Sequence, residues 1–224
     1  MNRRDEIESA LKAIRHSIPA EVHLIVVTKT FPVSDIEILY HLGERDFAEN
    51  RVQELVAKRE VLDSRLGKDL RWHFQGKIQS NKIALLNRYA DVIHSLDSLR
   101  HVQKIDESKS VLMQINLDLF PDESERSGVE QDRAIELAKS MAERFGENFL
   151  GVMGVAPHHD GVSEGEISEA FIRLKSLGDQ IRRFAPNSTW VSAGMSDDFR
   201  IAIAAGATHI RLGSSILGRR SSEP

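Results

Sequence analysis

Eight short strand-like runs recur along the chain, at residues 23–29, 46–50, 71–76, 91–96, 110–116, 149–155, 189–194 and 208–213. Each leads into a helical or loop segment, with amphipathic stretches at 33–42, 51–66, 130–144 and 166–184. Strands that alternate with helices form a parallel sheet with right-handed crossovers. Eight such units satisfy a closed barrel, and 224 residues lies at the small end of that fold's range. An open doubly wound sheet would carry a glycine fingerprint in its first βα turn, whereas Lys29-Thr30-Phe31-Pro32 contains no glycine. One more helix precedes the first strand, with Ile7, Leu11, Ile14 and Ile18 on a single stripe. No linker, low-complexity stretch or charge block divides the chain. The expected class is α/β: a single (β/α)8 TIM barrel with an additional N-terminal helix over residues 1–220, and a disordered tail at 221–224.

Charge and composition narrow the function classes. Thirty basic against thirty-four acidic residues leave no cationic excess to suggest a nucleic-acid partner. No apolar stretch approaches a membrane span, and the N-terminus lacks the apolar core of a signal peptide, so a cytoplasmic address is the simplest fit. The absence of cysteine excludes disulfides, thiol nucleophiles and thiolate metal sites. His158-His159-Asp160 has no spaced partner ligand and reads as a solvated loop, so no metal is expected.

Lys29 ends the run His23-Leu24-Ile25-Val26-Val27-Thr28-Lys29, where a strand hands over to a loop. In α/β folds that carboxyl edge is where ligands bind. A lysine held there among apolar neighbours loses its proton more readily than a solvated one and can attack a carbonyl to form a Schiff base. Taken alone, it reads equally as a snorkelling side chain.

The last two βα units add a second feature. Strand seven ends in Ser192-Ala193-Gly194-Met195-Ser196-Asp197-Asp198, and strand eight in Arg211-Leu212-Gly213-Ser214-Ser215. Glycines allow close backbone approach, Ser196 can cap a following helix, and the loops after strands seven and eight of such barrels often form a phosphate site. The alternative is a pair of ordinary capped turns. Strand one neighbours strand eight in a closed barrel, so the lysine and these turns face one pocket. A ligand with both an aldehyde and a phosphate answers both features, and pyridoxal 5′-phosphate (PLP) is such a ligand. Alternation along strand eight turns Arg211 into the barrel if Ile210 and Leu212 meet the helices. A guanidinium only donates hydrogen bonds, so at the pyridine nitrogen it would require an unprotonated acceptor and a weak electron sink. The structural alternative pairs Arg211 with Glu49.

The segments Val27-Thr28-Lys29-Thr30, Phe47-Ala48-Glu49-Asn50-Arg51-Val52-Gln53-Glu54, Trp72-His73-Phe74-Gln75-Gly76-Lys77-Ile78-Gln79-Ser80-Asn81-Lys82, Met113-Gln114-Ile115-Asn116, Gly194-Met195-Ser196-Asp197-Asp198 and Arg211-Leu212-Gly213-Ser214-Ser215-Ile216-Leu217-Gly218 together resemble the pyridoxal phosphate homeostasis protein family, stand-alone relatives of the alanine racemase N-terminal barrel. The resemblance implies that Lys29 carries PLP as an internal aldimine. It also implies that Asn50 and His73 line the pocket, that Ser192, Ser196, Gly213 and Ser214 hold the phosphate with Met195 among the cofactor-binding residues, and that Arg211 faces the pyridine nitrogen. Ala48, Gln75, Arg126, His209 and Leu217 depart from the family's pattern, and Gln75 bears on contacts near strand three.

The function this implies is intracellular PLP, vitamin B6 and amino-acid homeostasis by a carrier or buffer without efficient turnover, with PLP as ligand and transient PLP-accepting apoenzymes as partners. A racemase-type enzyme is the alternative. Two-base racemisation needs a second acid/base across the ring, which alanine racemase takes from a second domain of a partner subunit. The two tyrosines here, Tyr40 and Tyr89, fall in helical segments, and a monomer is expected. A Schiff-base aldolase usually carries its lysine on a later strand.

Overall fold

Eight parallel strands close on themselves in chain order: β1 (His23–Val27), β2 (Asp46–Glu49), β3 (Arg71–Phe74), β4 (Val92–Leu96), β5 (Ser110–Ile115), β6 (Phe149–Gly154), β7 (Trp190–Ser192) and β8 (His209–Leu212). This computed structural model describes residues 2–118, 127–157 and 161–218. Residues 119–126, with Arg126, lie outside the described residues, as do His158-His159-Asp160 and the tail at 221–224. The seam runs from His23 opposite His209 to Val26 opposite Leu212, which brings the end of β8 beside the turn that follows β1.

The helices are α1 (Arg3–Ser17), α2 (Val33–His41), α3 (Val52–Leu66), α4 (Ile83–Tyr89), α5 (Leu99–Val102), α6 (Gln131–Phe145), α7 (Glu164–Arg182), α8 (Phe199–Ala204) and α9 (Ser214–Leu217). The expected N-terminal helix is α1. Its Asn2 cap accepts from the Asp5 N–H at 3.0 Å, and Ile7 and Leu11 are buried. Arg3 joins α1 to both ends of the barrel's chain, pairing with Asp35 of α2 and donating to the Leu217 carbonyl of α9 at 2.9 Å. Helix α7 begins with a capping box, Ser163 and Glu166 each satisfying the other's backbone N–H.

Side-chain alternation divides the molecule into two environments. Outward residues such as Phe47, Trp72, Phe74, Phe149 and Ile210 join one apolar core beneath the helices. Each such side chain contributes about 1.5–3 kcal/mol when fully buried. Among the described residues, two small buried apolar groups lie inside the barrel, Ile25, Val27 and Ala48 on one side, and Val92, Leu112 and Met153 on the other. His73, His94, Ser192 and Arg211 supply buried polar side chains to the same interior.

Two glycines are required by the packing near the carboxyl end. Gly194 has φ +92°, and a Cβ there would sit 2.8 Å from Phe199 Cα and Ala202 Cβ. At Gly213 a Cβ would lie 2.8 Å from the Val27 carbonyl oxygen, so this glycine lets β8 turn over the end of β1. Gly194→Ala is expected to cost about 1–3 kcal/mol through combined backbone strain and overlap. A lowered urea midpoint checks it, and an unchanged midpoint would mean that the turn relaxes without cost.

Candidate functional site

β1 ends at Val27, two residues earlier than the apolar pattern suggests, because the chain turns. The Thr28 N–H still donates to the Ala48 carbonyl at 3.0 Å, but the Phe31 N–H donates back to the Thr28 carbonyl at 3.0 Å. Lys29 therefore sits at the second position of a tight turn. Thr30, next in that turn, has φ 69°, and it is the single non-glycine residue with positive φ among the described residues. A β-branched residue in the left-handed region costs about 1–3 kcal/mol and persists only where its surroundings impose it.

Those surroundings come from α3. Glu54 accepts the Thr30 N–H at 2.7 Å. Lys58 Nζ donates to the Thr28 carbonyl at 2.7 Å, to Glu49 Oε1 at 2.7 Å and to Glu54 Oε2 at 3.2 Å. Glu49 is fully buried and also accepts from Thr28 Oγ1 at 2.6 Å. Glu49 thus faces α3 outside the sheet, and the expected alternative in which it pairs with Arg211 inside the barrel is incorrect. Burial pushes the Glu49 carboxyl up, against the opposing pull of Lys58 and Thr28. Burial also works upward on Glu54, but the Thr30 N–H and Lys58 outweigh it and hold that carboxyl below its ordinary value.

Half-buried Lys29 opens onto a cleft of about 230 Å³ at the carboxyl end of the barrel, together with Arg211, Met195, Ser196, Gly213 and Ser214. Arg211 is inward-facing as the alternation predicts, since Ile210 and Leu212 join the outer core. It donates from Nη1 to Ser192 Oγ at 2.8 Å and from Nη2 to the Gly154 carbonyl at 2.9 Å. Burial pushes its guanidinium down to about 10, with Asp198 acting the other way; it remains cationic at neutral pH. The turns after β7 and β8 meet through their hydroxyls: Ser214 Oγ donates to Ser196 Oγ at 3.0 Å, and Ser196 Oγ lies 3.3 Å from Ser215 Oγ. Asp198, not Ser196, is the cap residue of α8, and its Oδ1 accepts from the Met195 N–H at 2.6 Å. Burial raises the Asp198 carboxyl, opposed first by that hydrogen bond.

Three predicted site residues sit elsewhere. Ser192 is fully buried beneath the cleft and reaches it through Arg211. Asn50 is exposed just past β2, and neither it nor His73 lines the Lys29 cleft. His73 is fully buried in the barrel, between Asp46 Oδ1 at 2.9 Å and His94 Nε2 at 2.8 Å. Each lies near a strand end, Asn50 exposed past β2 and His73 buried below the cleft. The sequence reading missed Gln75, which lines the cleft, and the Glu49–Lys58–Glu54 clamp. Gln75 was legible only as a departure from the family pattern. A larger depression, about 410 Å³, lies beside α5 and α6 around Asp97, Arg133 and Glu136. Its lining has an arginine, Arg133, but no lysine, and it lies away from the serine turns that follow β7 and β8.

A family profile described as the alanine racemase N-terminal domain matches residues 3–221. The pyridoxal phosphate homeostasis protein of Synechocystis sp. is 36% identical, over 95% of this chain and 98% of its own length. That of Escherichia coli K12 is also 36% identical, over 97% of this chain and 93% of its own. Among solved structures, PipY of Synechococcus elongatus with PLP bound is 30% identical, with a TM-score of 0.83, covering 95% of this chain and all of that one. The cleft-lining lysine, serine turns, barrel order and near full-length similarity agree, and the chain belongs to the pyridoxal phosphate homeostasis protein family, within the wider alanine racemase N-terminal domain family.

Proposed function

We propose that the Lys29 cleft binds PLP and that the protein serves in PLP homeostasis as a carrier or buffer. The observation that carries this reading is the convergence of a half-buried amine, a buried guanidinium and a hydroxyl-lined double turn on one cleft. The donor set fits the group. Ser196 and Ser214 offer hydroxyls to a phosphate, and Gly213 keeps the turn free of a side chain. Arg211 offers a donor at the floor for the pyridine nitrogen. Lys29 would hold the ligand covalently, its amine displacing the aldehyde oxygen as water. Bound PLP would supply an electrophilic carbon and an electron sink, which a donor-only arginine leaves weak. Asn50 and His73 are left out of this ligand set. PLP bound to the 30%-identical PipY supports the assignment.

The carrier reading includes a cytoplasmic monomer that passes PLP transiently to apoenzymes and lacks efficient turnover. The tyrosines favour it over a racemase: Tyr40 bonds Asp69 at 3.2 Å, Tyr89 bonds Glu60, and neither lines the cleft. The test is to add PLP, gel-filter the protein and record its visible spectrum. A retained band that borohydride abolishes, with pyridoxyl mapped to Lys29, is expected. Protein that stays colourless overturns PLP binding, and robust amino-acid racemisation by the loaded protein overturns the carrier role.

A further inference from the structure

Beneath the cleft, a line of buried side chains crosses the barrel from its carboxyl end to its amino end. Arg211 Nη1 donates to Ser192 Oγ at 2.8 Å, and Ser192 Oγ lies 3.2 Å from His94 Nδ1. His94 Nε2 lies 2.8 Å from His73 Nδ1, and His73 Nε2 lies 2.9 Å from Asp46 Oδ1. Ser192, His73 and His94 are fully buried, and Arg211 is 3% exposed. Asp46 is part-exposed at the start of β2, where Arg71 Nε lies 2.9 Å from it.

The two ends of this line fix its direction. A guanidinium can only donate, and a carboxylate can only accept. Ser192 accepts from Arg211, so its own proton is available for His94 Nδ1. His94 then carries its proton on Nε2 and gives that bond to His73 Nδ1. His73 in turn carries its proton on Nε2, directed at Asp46. With both rings neutral and Asp46 ionised, this assignment makes every contact a hydrogen bond and leaves no two protons facing each other. Protonating His73 on Nδ1 would oppose the His94 Nε2 proton and force His94 into its other tautomer. His94 would then donate to Ser192, displacing the serine proton.

We propose that Ser192, His94, His73 and Asp46 form a one-directional hydrogen-bond chain that positions Arg211 as a fixed donor at the floor of the cleft. Its bearing on the pyridine nitrogen rests on the PLP reading. His94, His73 and Asp46 are positioning residues, since they act through Ser192 and Arg211. The protonation states agree with the geometry. Burial holds His94 well below the ordinary histidine value, with the neighbouring His73 and the Arg211 guanidinium acting the same way. Burial also lowers His73, against the pull of Asp46. Asp46 is raised by burial but held lower by His73 and Arg71. The other titratable groups facing this chain are His209, His23 and Asp91 near the amino end, and Asp198 near Arg211. His209 is pushed down to about 3 by burial and stacks between Trp190 and His23, so it stays neutral.

The test uses the full chain with ¹⁵N-labelled histidine and no added ligand. Two-bond ¹H–¹⁵N spectra at neutral pH are expected to show His73 and His94 as neutral rings protonated on Nε2, assigned with His94→Gln and His73→Gln. A ring protonated on Nδ1, or an imidazolium at either position, overturns the chain's direction. Slow guanidinium rotation, seen as separate Arg211 Nη–H signals, is expected in wild type and lost in Ser192→Ala; equal averaging in both overturns the positioning role. PLP affinity, read by equilibrium dialysis, is expected to fall roughly tenfold in folded His94→Gln, as for loss of support to one charged hydrogen bond. Undiminished affinity overturns the link to the cleft. Correct tautomers in a protein that takes up no PLP would uphold the chain and overturn the PLP reading alone.

Discussion

Lys29→Ala is expected to remove covalent retention of PLP while leaving the fold intact. After incubation and gel filtration the variant should carry no visible band, and borohydride should attach nothing to the protein. Residual binding through Ser196, Ser214 and Arg211 would remain, weakened at least about a hundredfold, equivalent to roughly 2.7 kcal/mol. Lys29 is half-buried in a turn whose backbone bonds involve Thr28, Thr30 and Phe31, so truncating its side chain leaves those bonds in place. Its stability should change by no more than about 0.5–1 kcal/mol, read as a nearly unchanged thermal midpoint. Lys58, the lysine buried beside this turn, projects from α3 and already serves three acceptors, so it cannot substitute. A variant that keeps a borohydride-sensitive band would move the covalent site to another amine.

The elements of the barrel were legible because each strand carries its own apolar pattern and the count and order of strands leave one closure. Lys29, Arg211 and the serine turns were legible for a related reason: strand alternation and the carboxyl-end rule suffice to aim a residue near a strand terminus. Depth was not legible. His73 and the cleft-lining Gln75 share a parity, yet one is fully buried beneath the cleft and the other lines it, and only the barrel's stagger separates them. His94 escaped notice because the polar pair His94-Ser95 breaks the alternation between Ile93 and Leu96, so parity does not say which of the two turns inward, and β4 shifts register over the same residues. The clamp behind Lys29 escaped for another reason. Glu54 and Lys58 form an ordinary helical pair, but their partners Thr28, Thr30 and Glu49 come from two other segments. The early end of β1 follows from the same contacts, which hold Thr30 in a conformation its side chain disfavours.

Lys58→Met is expected to destabilise the protein by about 3–5 kcal/mol, the usual result of removing one partner of a buried ion pair. Glu49 is fully buried, Lys58 is nearly so, and Glu49 Oε2 already lacks a hydrogen-bond partner. Without the ammonium, Thr28 Oγ1 is the remaining donor to that carboxylate, and the Thr28 carbonyl loses its Lys58 bond. The cheapest response is for Glu49 to take up a proton. Its folded-state value already lies above the ordinary one because of burial. Such a group stabilises the fold fully below its unfolded value, and that contribution is lost as pH rises through the raised folded value. Removing Lys58 raises the folded value further, so the loss extends to higher pH. The gap in urea midpoint between wild type and Lys58→Met should therefore be smaller near about pH 5 than near about pH 8. An equal gap at both pH values would show that the ammonium acts by packing and not by compensating Glu49. Lys58→Met combined with Glu49→Gln should recover much of the stability, because the buried charge has gone. It should not restore the lysine's hold on the Thr28 carbonyl, so PLP retention should stay below wild type even in the stable double variant. That separation of stability from retention is what makes the clamp part of the site and not merely part of the fold.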